Sequence, residues 1–117
     1  MIAANDVMAL GALSAMEKAG RTALVAGVNA IPDAVSAVRS GAMVATADYS
    51  AMNLAAIAVE CAIRHLRGES VPREVVLPVQ IVDRDNVALW AGSYESRPQL
   101  DWNAALVAGA GSFCGKS

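Results

Sequence analysis

Ala23-Leu24-Val25-Ala26-Gly27-Val28-Asn29-Ala30-Ile31-Pro32-Asp33 is the stretch that decides the fold. The run from 23 to 28 is continuously apolar and reads as a strand buried on both faces, as strands of parallel sheets are. Asn29 ends it. Pro32 then stands at a first helical position, where its missing N–H is no loss, and Asp33 brings negative charge to the helix start. Val35 and Val38, three apart, carry the helix on until Gly41 closes the turn. A strand that passes through a polar stop into a helix is the unit of an α/β fold.

The same unit recurs on both sides. Met1 to Ala4 reads as a stub of strand, and either Asn5 or Asp6 is placed to cap the helix after it. Val7, Leu10, Gly11 and Ser14 run up one side of that helix, and Met8, Ala12, Ala15 and Ala19 up another, until Gly20 stops it. A third strand, Met43 to Ala47, runs into Asp48-Tyr49. Ser50 or Ala51 opens the longest helix, which reaches Leu66 with Leu54, Ala58, Cys61 and Ile57, Ala62 at helical spacing and Gly68 as its stop. Pro72 marks the next turn. Glu74 to Asp83 is rich in β-formers, and Pro78 within it indicates an edge position or a bend. From Gly92 onward the periodicity is poor, with a short helix near Trp102 to Val107. The reading is an α/β domain over residues 1–91, a mainly parallel sheet with flanking helices, followed by an irregular tail over 92–117.

Composition narrows the function. A chain of 117 residues holds one modest core. Nine Lys and Arg against eleven Asp and Glu give a net charge of −2, which supplies no footprint for nucleic acid and no basic patch for an anionic membrane. With 56% hydrophobic and 17% charged residues the chain is far from the composition of disordered segments. Its apolar content is mostly small, 25 Ala against five aromatics, which suits helices packed closely on a sheet. Cys61 and Cys114 lie in unlike contexts, so no disulfide framework is indicated, and Cys61 reads as a small buried apolar residue. No apolar run reaches the roughly 18 residues needed to span a bilayer. The first residues have no basic region and meet an acid at Asp6, so they are not expected to be a secretion signal.

Chemistry is expected where the strands end. In an open parallel α/β sheet, ligands bind outside the carboxyl ends of the strands, and here those ends carry Asn5, Asn29 and the pair Asp48-Tyr49. Asn offers donor and acceptor together, Asp accepts strongly, and Tyr49 offers an apolar face with a polar tip. The set suits a neutral molecule rich in hydroxyls. Asn and Asp at such junctions are also common caps and turn formers, and Asp6 is read as a cap rather than a ligand contact.

Other motifs carry less. Ala110-Gly111-Ser112-Phe113-Cys114-Gly115-Lys116-Ser117 fits a loose phosphate-binding loop, but that mechanism needs a strand before it and a helix after it. His65 is the single histidine and lies in a last helical turn beside Arg64 and Arg67, where cations meet the negative helix end, so it reads as surface. One His and no Cys cluster leave no spacing for a metal or for a nucleophile and its base. Asp83 and Asp85 read as solvated turn residues rather than a hydrolytic acid pair. No cofactor, no metal and no catalysis are expected.

The run Ala3 to Leu13 (Ala-Ala-Asn-Asp-Val-Met-Ala-Leu-Gly-Ala-Leu), with Val25 to Asn29, Ala42 to Thr46 and Arg67-Gly68-Glu69, resembles the C-terminal part of ribose-type periplasmic sugar-binding proteins, the solute receptors of ABC importers. The similarity covers about residues 1 to 90. It implies the C-terminal lobe of a type I periplasmic binding protein, incomplete here, whose strand-end side chains touch sugar hydroxyls and whose complete form works with a membrane permease. Asn5 matches the family's Asn, whereas Asn29 stands where Asp is usual and Tyr49 where Gln or another polar residue is usual. Asn29 lacks the charged acceptor that grips paired hydroxyls, which leaves another sugar or a polyol as open as ribose, with Asp48 restoring some acceptor capacity. The resemblance also implies that helix 51–66 would pack on a first lobe, so its apolar stripe, about 24 Å long, predicts self-association of the isolated chain as a homo-oligomer or helix-swapped dimer. The effector domain of a sugar-responsive transcription repressor shares the fold and is the alternative.

Overall fold

The computed structural model describes residues 1–97, 99 and 101–111. They form two compact units, Met1–Asp48 with Val79–Arg97, and Tyr49–Pro78 with Pro98–Ser117. The first unit is built on α1 (Asp6–Lys18), β1 (Ala26–Val28), α2 (Pro32–Ser40), β2 (Ala45–Asp48) and β3 (Gln80–Asp83). The second holds α3 (Ala51–Leu66) and α4 (Trp102–Gly111).

In the first unit the sheet runs β1-β2-β3. β1 and β2 are parallel, with Ala26 opposite Ala45 and Val28 opposite Ala47. The stub at the start of the chain joins the same sheet through a parallel bridge between Ile2 and Ala26, fixed by Ala3 N donating to Ala26 O at 2.9 Å. β3 lies antiparallel to β2, with Asp48 opposite Gln80 as the last pair. That pairing corrects the strand expected over Glu74 to Asp83. β2 is only four residues long, so once Gln80–Asp83 has used its edge, residues 74–79 find no strand to pair with among the described residues, and Pro78 lacks a donor in any case.

Helix α1 begins at Asp6 because the Asn5 side chain caps it, Oδ1 accepting from the Met8 N–H at 2.9 Å. Helix α2 has Pro32 at its first position and ends at Gly41, whose φ of 85° is the left-handed conformation a glycine adopts without penalty. The core between the helices and the sheet contains Ala9, Val25, Val35, Val38, Met43, Val82 and Trp90, with Leu10, Leu13 and Ile31 packed against it. Small residues let the layers approach. At Gly27 an added Cβ would lie 2.2 Å from Asp6 Oδ1 and 3.2 Å from the Ala9 Cβ, so α1 crosses β1 only because this residue has no side chain.

In the second unit α3 runs for 16 residues and buries Asn53 and Ile57. Met52, Val59, Ile63 and Leu66, spaced seven, four and three residues apart on one side of it, are exposed. Helix α4 is capped by Asp101, whose Oδ1 accepts from the Ala104 N–H at 2.7 Å, and the Arg64 guanidinium lies 4.6 Å over the Trp102 ring. The short helix expected near Trp102 to Val107 is present and runs on to Gly111. His65 is exposed at the end of α3. The loose phosphate-loop motif begins inside α4, so a helix rather than a strand precedes it, and its residues 112–117 lie outside the described residues, as does Cys114.

Candidate functional site

The parallel order of the first unit puts three chain ends side by side. The N-terminal stub pairs with β1, β1 pairs with β2, and all three point the same way, so Asn5 and Asn29 follow their parallel segments and Asp48 ends its own at the same edge of the sheet. The Asn29 N–H extends the ladder by one bond to Ala47 O at 2.8 Å. Its side chain is half-buried and takes no hydrogen bond among the described residues, which leaves an amide with donor and acceptor capacity at that edge. Asn5 uses Oδ1 for its cap.

The backbone around Asn29 is strained. Asn29 has φ of 118° and Ala30 has φ of 50°, two successive left-handed residues, neither a glycine. Such conformations cost about 1–3 kcal/mol each and persist only where surroundings hold them. Here both sides of the loop are held. On one side the fully buried Asp6 accepts from the Ile31 N–H at 3.0 Å and from Thr46 Oγ1 at 2.7 Å, and Thr46 Oγ1 accepts from the Ala30 N–H at 3.2 Å. On the other, Arg97 Nη2 donates to Ala30 O at 2.8 Å. Asp6 therefore corrects its reading as a cap. Asn5 takes the capping role, and Asp6, the first helical residue, points inward and ties α1 to the loop after β1 and to β2.

Asp48 is also internal, only 8% exposed. Its Oδ2 accepts from Trp90 Nε1 at 2.7 Å and lies 3.5 Å from Arg97 Nη1. Arg97 is 7% exposed and its guanidinium stacks 4.1 Å from the Tyr94 ring centroid. The edge thus has a neutral amide backed by a buried carboxylate and guanidinium that face each other, which suits uncharged hydroxyls better than a charged ligand. Tyr49, next in the chain after Asp48, is 39% exposed and is the first residue of the second unit.

Thr46, Trp90 and Arg97 were not among the residues singled out from the sequence. Thr46 sits inside an apolar strand, where a hydroxyl signals a buried partner. Arg97 stands in a segment without periodicity and gives no comparable signal.

The comparisons with known proteins agree with this architecture. The family model described as a periplasmic binding protein domain matches residues 1–70. A ribose import binding protein of Haemophilus influenzae is 34% identical over 82 residues, which is 70% of this chain and 28% of that protein. Among solved structures, an ABC transporter solute binding protein from Bacillus halodurans with bound myo-inositol superposes with a TM-score of 0.72 at 34% identity, covering 77% of this chain and 32% of that one. An ABC transporter periplasmic solute binding protein from Actinobacillus succinogenes with bound D-allose gives a TM-score of 0.71 at 35% identity, covering 74% and 31%.

The fold is that of type I periplasmic binding proteins, here a partial α/β domain with a three-stranded sheet and helices. The chain belongs to the periplasmic binding protein family, in its ribose-type branch, as the resemblance implied. It spans about a third or less of the length of the relatives it matches.

Proposed function

We propose that this chain forms part of the ligand-binding lobe of a periplasmic receptor for a small sugar or polyol, in a protein that delivers its ligand to an ABC importer and carries out no catalysis. The observation that carries the reading is the edge where parallel segments end at Asn5, Asn29 and Asp48, with the Asn29 amide held in a strained loop by buried polar groups. Strain at a strand end, maintained by four hydrogen-bonding partners, fits a site whose geometry must be set before a ligand arrives. The ligands of the similar proteins, ribose, myo-inositol and D-allose by their descriptions, are uncharged and rich in hydroxyls, as the edge requires. The proposal extends to Tyr49 on its place in the chain, directly after Asp48.

One edge of a cleft leaves a ligand wet on its other side, so binding to this chain alone is expected at a Kd of about 1 mM or weaker. The test is a nuclear magnetic resonance titration with myo-inositol, D-ribose, D-allose and xylitol, against glucuronate as a charged control. Saturable shifts of the Asn29 and Asn5 side-chain amides with the neutral compounds support the reading. Shifts absent with all of them, or confined to glucuronate, overturn it. The self-association expected of the isolated chain belongs to the same proposal, because α3 exposes Met52, Val59, Ile63 and Leu66 in one stripe.

A further inference from the structure

Arg97 lies well beyond the residues 1–70 that the family model matches, in a segment that the sequence leaves without a role. Its guanidinium nevertheless reaches the back of the candidate edge from the far end of the first unit. Nη2 donates to Ala30 O at 2.8 Å, a contact between residues 67 apart in sequence, and Nη1 faces Asp48 Oδ2 at 3.5 Å. The Tyr94 ring covers it at 4.1 Å. Its planar fork thus meets two acceptors belonging to two different strand ends, the loop after β1 and the last residue of β2.

We infer that Arg97 is a positioning residue for the candidate site, holding the Asn29–Ile31 loop against the end of β2 so that the Asn29 amide faces the ligand edge in one orientation. The geometry gives the reason. Asn29 and Ala30 both occupy the left-handed region, and relaxation of either one turns the peptide between them, which carries the Asn29 side chain with it. Asp6 and Thr46 secure the N–H groups of Ala30 and Ile31, but only Arg97 secures the Ala30 carbonyl among the described residues. The Ala30 C=O and the Ile31 N–H belong to one peptide plane, so Arg97 and Asp6 hold that plane from opposite sides. Losing Arg97 leaves it tied through its N–H alone, free to tilt and to relax Ala30 and, through it, Asn29. Lysine cannot replace this fork, because a point charge with no planar pair of donors meets one acceptor well and the other poorly. That the orientation serves a ligand rests on the sugar or polyol reading above; that Arg97 sets it does not.

The test uses the full 117-residue chain and separates the two statements. Amide hydrogen exchange and the Asn29 coupling constants are compared in wild type, Arg97→Gln, Arg97→Lys and Val87→Ala. Val87 is a buried core residue that touches neither the loop nor Asp48 through a hydrogen bond, so Val87→Ala lowers stability without removing an anchor. Arg97→Gln is expected to speed exchange at Asn29, Ala30 and Ile31 by about tenfold more than Val87→Ala does at matched overall stability, and to average the Asn29 couplings. Arg97→Lys is expected to recover overall stability more fully than it recovers the Asn29 couplings. If Arg97→Gln and Val87→Ala give the same exchange pattern, or if lysine restores the couplings in full, Arg97 is a structural residue only and the inference falls. The ligand half is read with myo-inositol as probe: the shift of the Asn29 side-chain amide is expected in wild type and lost in Arg97→Gln. No shift in wild type would sink the sugar reading, and the exchange comparison then decides the role of Arg97 alone.

Discussion

Replacing Asp6 by alanine removes the acceptor of two donors at once, the buried Thr46 hydroxyl at 2.7 Å and the part-buried Ile31 N–H at 3.0 Å. Asp6 is fully buried, so no water replaces it at the surface. Each orphaned donor costs about 1–3 kcal/mol, which puts the expected loss at about 2–6 kcal/mol. The total stability of a chain this size is about 5–15 kcal/mol, so the variant should be visibly weakened and could lose its fold at room temperature. Asparagine keeps one acceptor at the site and should lose about half as much. Urea unfolding measures both, provided the two units are read separately. Trp90 reports the first unit and Trp102 the second, so a Trp102→Phe background makes fluorescence specific to the unit that contains Asp6. A loss below about 1 kcal/mol for Asp6→Ala would show that the buried cross-link is dispensable and that the strained loop is held by something else.

Gly27→Ala places a methyl where Asp6 Oδ1 and the Ala9 Cβ already sit, and should destabilise the first unit by about 3 kcal/mol or prevent its folding, as read by the same urea assay. Asn5 has two roles to separate. Asn5→Ala should cost about 1 kcal/mol through the lost cap, whereas Asn5→Ser keeps the cap and near-normal stability but should weaken the myo-inositol shift of the Asn29 side-chain amide. The exposed stripe on α3 predicts a species larger than a monomer in sedimentation at micromolar concentration, shifted to monomer by Val59→Glu with Leu66→Glu; a monomeric wild type would contradict it.

Much of the first unit can be read from local pattern. Pro32 after Asn29, and Gly41 after Val38, mark α2 because backbone chemistry at helix ends is decided within a few residues. The same holds for α3, whose end at Leu66 follows from Gly68. What local pattern does not carry is pairing. Val75, Val76, Leu77 and Val79 have the propensity for a strand, yet they form none, because strand formation depends on a partner and β2 ends at Asp48, with Pro78 adding its missing donor. Asp6 and Thr46 lie 40 residues apart, and Trp90 reaches Asp48 across 42. Such bonds follow from how layers stack. Asn5 and Asp6 illustrate the boundary well: the sequence shows that one of the pair caps α1, and only the packing of α1 over Gly27 decides that the other turns inward.

The most direct measurement is a crystal structure of this chain grown with myo-inositol at high concentration. The account predicts density for the ligand within hydrogen-bond distance of the Asn29 side chain at the carboxyl edge of β1 and β2, with the Asn29 and Ala30 backbone unchanged. Ligand density elsewhere on the chain, or an Asn29 side chain turned away from that edge when the sugar is bound, would contradict it.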